Sequence, residues 1–413
     1  MKKSLNPLFI TVMCIIFGWS GCGGCGPSSS TGESDAATAP SRDGERIPDS
    51  EAYLQPVSPA HPLIRYMGRV DFSKPEAPCF SYPGVSIRVR FNGTRLHVLL
   101  DDNALHQAAD TTNYFNVIVD GGEPVRLKTM PEQKVYVLAE NLNAGPHEVE
   151  LFKRSESSHG DNLNVGKVTI RGFRLDRDAE LLPVSERKLK MEFIGDSITC
   201  GYGNELSVAN PMNHHFTTIN SNAYMAWGAI AARQLDAEYV AVAYSGRGVV
   251  RNYGGFQSPV IPEIYLTTLP DDPDAAPWDT SAYTPDIVVI NLGTNDFSEG
   301  VPPGDAADAL ERQYAEGYAR FLERLLSYYG NARFILAMGP MLSDSFPAGV
   351  NAGTRVKRVL QQLVDAQRKK GHTNVHLLVL SPQQPPFGED FHPTVATHQK
   401  MAAELVAFIR SLP

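Results

Sequence analysis

From about residue 189 to the C-terminus the sequence keeps switching between two textures, and this alternation restricts the fold more than any other feature of the chain. Residues 191–194, 239–244, 287–291, 333–338 and 374–380 form short, nearly unbroken apolar runs, the pattern of strands covered on both faces. Residues 222–235, 306–329, 352–370 and 396–411 instead repeat their apolar positions with the period of a helix. Strands alternating with helices predict a three-layer α/β/α arrangement around a parallel sheet. In such a sheet, ligands bind beyond the carboxyl ends of the strands.

Upstream of the charged segment "SERKLK" the texture is different. Between residues 53 and 183, short alternating stretches such as "VSIRVRFNGTRLHVLL" and "VGKVTIRGFRL" are separated by turn signals, among them Asn92-Gly93 and Asp120-Gly121-Gly122. No helical stretch intervenes. The spacing predicts an antiparallel β-sandwich of jelly-roll type over residues 51–185, followed by an α/β domain over residues 186–413.

The N-terminus reads as a leader. Lys2 and Lys3 precede an apolar run over residues 8–19 that is too short to span a membrane, so residues 1–25 are expected to be a signal peptide and the protein to be exported, secreted or periplasmic or held at the cell surface. Ser20-Gly21-Cys22 resembles the end of a bacterial lipobox, with Trp19 where that motif prefers leucine, and makes Cys22 the candidate for lipidation as the sole membrane anchor. Residues 26–50 are rich in Ser, Thr, Ala, Asp, Gly and Pro and are expected to be a disordered linker. Of the five cysteines, only Cys79 and Cys200 lie in the expected folded parts, and two cysteines alone do not argue for a disulfide.

The net charge of −9, with no long basic block, gives no footprint for nucleic acid or an anionic membrane surface. No cofactor is called for. The adjacent pair His214-His215 does not make a metal site by itself, and no metal is expected. Neutral partners and a monomeric state are expected.

The residues that can carry chemistry fall after the strands. Ser197 follows the first, Ser245-Gly246 the second, Gly293-Thr294-Asn295-Asp296 the third, and Asp390-Phe391-His392-Pro393 the fifth. Together they supply the inventory for acyl transfer: a hydroxyl, an imidazole, a carboxylate and donors for an oxyanion. Ser197 needs a base to take its proton, and His392 is the best candidate. Asp390 would accept from the other ring nitrogen, with Glu389 as the competing carboxylate. The N–H groups of Ser197 and Gly246 and the amide of Asn295 would form the oxyanion hole. Read alone, Asp196-Ser197 would equally serve as a helix cap, and Asp296 reads as a hydrogen-bond brace.

The blocks "GDSIT", "SGRG", "GTND" and "DFHP" resemble the ordered blocks of the SGNH, or GDSL-like, hydrolases. That resemblance implies Ser197 as nucleophile, Gly246 and Asn295 as oxyanion donors and His392 as general base. The preceding β region, with "WDTSAYTPDIVVINLGTNDFS", "AMGPML" and "HPTVATHQKMA", narrows it to carbohydrate esterase family 2. The implied activity is removal of O-acetyl groups from polysaccharides of the xylan or glucomannan type, often at the sugar O-6. The superfamily usually has Asp-x-x-His where this chain has Asp-x-His, and some members of the family orient the histidine with a backbone carbonyl. Phe391, Trp278 and Arg247 are candidate sugar contacts, Trp278 being open to a purely structural reading. Two other functions remain open at this stage: a polysaccharide-binding protein with a weak esterase site, and a lipase or thioesterase with the same machinery.

Overall fold

The computed structural model describes residues 54–104, 111–157, 166–206 and 216–413. The leader, linker, Cys22 and His214-His215 lie outside the described residues.

The N-terminal part consists of two antiparallel sheets. In one, Leu54–Val57, Val168–Asp176, Leu96–Asp102 and Val135–Ala139 lie side by side, with Cys79–Phe80 also on Val168–Asp176. In the other, the order is Glu180–Leu182, Ser86–Asn92, Pro146–Lys153, Tyr114–Val119 and Val125–Lys128, with Arg65–Met67 also on Ser86–Asn92. Alternate residues of these strands (Ile87, Val89 and Phe91 from one sheet, Val98 and Leu100 from the other) are buried in a common core.

The C-terminal part is the parallel sheet, whose elements are numbered here from its start. Its strands are β1 (Leu189–Gly195), β2 (Ala237–Ala243), β3 (Ile287–Asn291), β4 (Arg333–Met338) and β5 (Val375–Val379). Besides a short helical turn at Ile261–Ile264, its α-helices are α1 (Ser197–Cys200), α2 (Trp227–Gln234), α3 (Asp305–Tyr328), α4 (Ala352–Lys369) and α5 (Val395–Ser411). The spatial order is β2-β1-β3-β4-β5, every pair parallel. Strand order reverses between β1 and β3, so the crevice for a ligand opens beyond their carboxyl ends. β2 and β3 are buried at every position, which is why the sequence shows them as unbroken apolar runs.

One helix is shorter than its periodicity predicts. Over residues 222–235 the chain first makes a 3₁₀ turn, Ala223–Met225, then an extended residue, Ala226, before α2 begins. The Asn222 side chain accepts from the Tyr224 N–H, a local turn that competes with helix, and the Trp227 N–H donates to Nδ1 of buried His398. Cys79 and Cys200 are both free.

The two parts share a polar seam. Arg69 of the β region is fully buried, pairs with Glu192 of β1 at 3.2 Å and lies over the rings of Tyr265 and Trp278. Arg154, at the end of Pro146–Lys153, reaches Glu205 and the carbonyls of Ile219 and Ser221. The second contact braces the segment just beyond α1.

Candidate active site

β1 ends at Gly195, where a Cβ would collide with the Thr199 side chain, so only glycine allows the chain to turn this tightly into α1. Asp196 caps α1 by accepting from the Ile198 N–H at 3.0 Å, and Ser197 is the first helical residue. Capping therefore falls to Asp196, and the Ser197 hydroxyl is left for other work. It lies 2.7 Å from Nε2 of His392. The Ser197 N–H, at the first position of a helix, has no acceptor within α1.

His392 is held by a short turn after β5. Its Nδ1 is 3.0 Å from the backbone carbonyl of Glu389. A carbonyl can only accept, so the proton sits on Nδ1 and the Nε2 lone pair faces the serine hydroxyl, the tautomer a general base requires. The same carbonyl accepts the His392 N–H at 2.9 Å, and Gly388 N–H donates to the His392 carbonyl at 2.7 Å.

The carboxylates go elsewhere, against the sequence expectation. Asp390 adopts left-handed backbone angles (φ 48°, ψ 41°), and its Oδ2 accepts from the Tyr202 hydroxyl at 2.5 Å. The Glu389 carboxylate is fully buried and accepts from the Thr217 N–H at 3.0 Å, the Thr217 hydroxyl at 2.6 Å and the Asn220 amide at 2.8 Å. Glu389 thus anchors the turn with its side chain and orients the imidazole with its main chain.

Gly246 follows β2 with φ 76°, and a Cβ there would find only Tyr253, 3.9 Å away, so the backbone is open to close approach on that side. The Asn295 side chain, after β3, donates through Nδ2 to the Arg247 carbonyl at 2.9 Å and reaches Asp196 Oδ2 at 3.3 Å. The first bond fixes the loop that carries Gly246. The second is long, so that hydrogen is the one available to a substrate oxygen. Burial pushes the Asp196 carboxyl up to about 7, and the nearby Asp296 carboxylate pushes the same way. Asp296, also raised by burial, to about 6, accepts from the N–H groups of Val249, Val250 and Arg251 at 2.8–3.1 Å and is the brace its sequence context suggests.

Of the three candidate sugar contacts, the structure leaves one exposed at the site. Phe391 is 60% exposed beside His392, with a left-handed φ of 62° that an aromatic residue adopts only under constraint. Trp278 packs on the Arg69 guanidinium in the seam, 5.1 Å from ring centre to Cζ, and belongs to the fold. Arg247 is buried, donates to the Pro259 carbonyl and lies over the Tyr244 ring, so its guanidinium is spent on the loop. Three residues near the site escaped the sequence reading: Tyr202, and the exposed Tyr253 and Phe256 on the loop beyond Gly246. The signal for Tyr202 was its flanking glycines in "CGYG". Among the described residues no cluster of His, Cys, Asp or Glu could hold a metal.

A doubly wound sheet with a serine hydroxyl set on an imidazole at its switch point defines the class, a serine-type ester hydrolase. Residues 66–184 match the family described as carbohydrate esterase 2 N-terminal, and residues 193–400 the GDSL-like lipase/acylhydrolase family. The acetylxylan esterase/glucomannan deacetylase of Cellvibrio japonicus is 30% identical over 86% of this chain and 90% of its own length. A cellulase/esterase of Acetivibrio thermocellus is 34% identical over 85% of this chain, which spans 40% of that larger protein. A solved family two carbohydrate esterase from Clostridium thermocellum, in complex with cellohexaose, superposes with a TM-score of 0.73 at 33% identity, covering 84% of this chain and 98% of that one. The chain belongs to carbohydrate esterase family 2.

Proposed function

We propose that the protein is a deacetylase of plant-type polysaccharides, acting on acetylated xylan or glucomannan with Ser197 as nucleophile and His392 as base. Ser197 Oγ attacks the acetyl carbonyl while His392 Nε2 takes its proton. The N–H groups of Ser197 and Gly246 and the Asn295 amide receive the negative oxygen. His392 then returns the proton to the sugar oxygen, which leaves. Water, activated by the same imidazole, attacks the acetyl-enzyme and releases acetate.

The observation that carries this reading is the 2.7 Å contact between Ser197 Oγ and a His392 whose other nitrogen is committed to a carbonyl. The names of the relatives support a sugar acetyl ester over a lipid or thioester. So do the exposed rings of Phe391, Tyr253 and Phe256, because aromatic faces suit the C–H faces of sugars. We assign the O-6 acetyl as the preferred target and the leader, with Cys22, as the means of export and anchoring. Ser197→Ala is expected to lower acetate release from acetylated glucomannan and from an aryl acetate by at least about 10³-fold. Near-wild-type turnover by that variant would overturn the assignment. Positional analysis of the residual acetyl groups tests O-6, and lipid labelling of the wild type against Cys22→Ala tests the anchor.

A further inference from the structure

The segment that carries the nucleophile also carries a side chain packed on the base. α1 ends at Gly201, with φ 76°, and the chain continues through Tyr202 to Gly203, with φ 52°. The Tyr202 N–H donates to the Ser197 carbonyl at 3.1 Å, which ties this turn to the nucleophile's own backbone. A Cβ on Gly203 would collide with the Glu389 side chain, and the Gly203 carbonyl accepts the Glu389 N–H at 3.1 Å. The turn is therefore docked directly on the loop that holds His392.

The Tyr202 ring stacks on the imidazole, with centroids 4.1 Å apart and planes inclined by 25°, and Phe216 packs against the same ring at 4.8 Å. Its hydroxyl holds Asp390 Oδ2 at 2.5 Å. The residue is only 6% exposed. We propose, building on the Ser197–His392 reading above, that Tyr202 is a positioning residue for the general base: its ring fixes the imidazole plane and stabilises the imidazolium.

The chemistry follows from when charge appears. Attack by Ser197 converts a neutral imidazole into a cation, and the face of a tyrosine ring is negative, so the stack strengthens as the proton arrives. Other titratable groups face this pair. Asp390 lies at the hydroxyl and Tyr253 lies towards Asp390, while Glu156 of the β region lies towards Tyr202. The Glu389 carboxylate also lies towards Tyr202, while its hydrogen bonds go to Thr217 and Asn220. His398 of α5 is buried, and burial lowers it to about 3, so it adds no charge beside His392 at neutral pH.

A tyrosine that merely fills space would, when replaced, lower stability without moving the pH dependence of the reaction. The test is kcat and kcat/KM on an aryl acetate between about pH 5 and 9 for the full chain. Wild type is compared with Tyr202→Phe, Tyr202→Leu and Tyr202→Met, each checked by thermal unfolding. Leucine and methionine are expected to lose roughly tenfold in kcat with KM little changed, and to move the acidic limb of kcat/KM down by about half a pH unit or more. Phenylalanine keeps the ring, so its limb stays in place and its kcat stays within about threefold of wild type. Methionine, long and flexible, keeps the comparison intact should the leucine variant fold poorly. A wild-type limb in the non-aromatic variants, or a limb in Tyr202→Phe that moves as theirs does, would overturn the role of the ring. Retained turnover by Ser197→Ala would instead strike the site reading on which it rests.

Discussion

Replacing Asp390 by asparagine separates two ways of holding the same histidine. Were Asp390 the group that fixes the His392 tautomer, the change would cost about 10⁴-fold in kcat, equivalent to about 5.4 kcal/mol of transition-state stabilisation. In the structure Nδ1 faces the Glu389 carbonyl at 3.0 Å, a main-chain group that the substitution leaves untouched. What changes is the acceptor of the Tyr202 hydroxyl, from a carboxylate to a neutral amide oxygen. Bonds to charged groups contribute about 1.5–3 kcal/mol and neutral ones about 0.5–1.5, a difference of about 1–1.5 kcal/mol. If all of it were lost from the transition state, kcat would fall only about five- to twelvefold. Steady-state hydrolysis of an aryl acetate, measured on the plateau of the pH profile with thermal unfolding as a control, distinguishes these figures. A loss of about 10³-fold or more in a folded Asp390→Asn protein would refute the assignment of Nδ1 to the Glu389 carbonyl.

Other consequences concern the seam and the buried charges. Glu192→Ala leaves the fully buried Arg69 guanidinium without its carboxylate and is expected to destabilise the protein by about 3–5 kcal/mol in urea unfolding, with kcat per folded molecule preserved. Trp278→Ala should cost about 2 kcal/mol of stability and leave KM for polysaccharide unchanged; a raised KM at unchanged stability would return Trp278 to the sugar site. Glu156 is fully buried, and burial raises its carboxyl from 4.5 to about 7. A carboxyl with a higher pKa folded than unfolded favours the protonated state, so the cost of burying it grows as pH rises from about 4.5 and is complete above about 7. Glu156→Gln should therefore stabilise the protein at pH 8, by up to about 3 kcal/mol, and change little at pH 4.5; no gain at pH 8 in denaturant unfolding would contradict this.

The order of textures along the chain was sufficient for the architecture. Apolar runs too short and too continuous for half-exposed strands, alternating with helical periods, leave a parallel sheet as the way to bury them, and that sheet puts Ser197, Gly246, Asn295 and His392 beyond the carboxyl ends of its strands. Side-chain chemistry then narrows the roles, because a serine hydroxyl needs an imidazole and an oxyanion needs donors. Sequence does not supply dihedral angles. The spacing Asp-x-His places a carboxylate near the histidine, but the left-handed turn at Asp390 and Phe391 sends that carboxylate to Tyr202 and brings a carbonyl to Nδ1. Glu389 illustrates the same limit, since its carboxylate finds three donors on residues 217–220, about 170 positions away in the chain. Trp278 and Arg247 look like surface chemistry in one dimension, and in three the first is half-buried against Arg69 in the seam and the second is buried in its loop. Local periodicity determines which segments bury which faces. Which polar group meets which donor depends on contacts between distant segments and on a few backbone angles, and these only the tertiary structure decided.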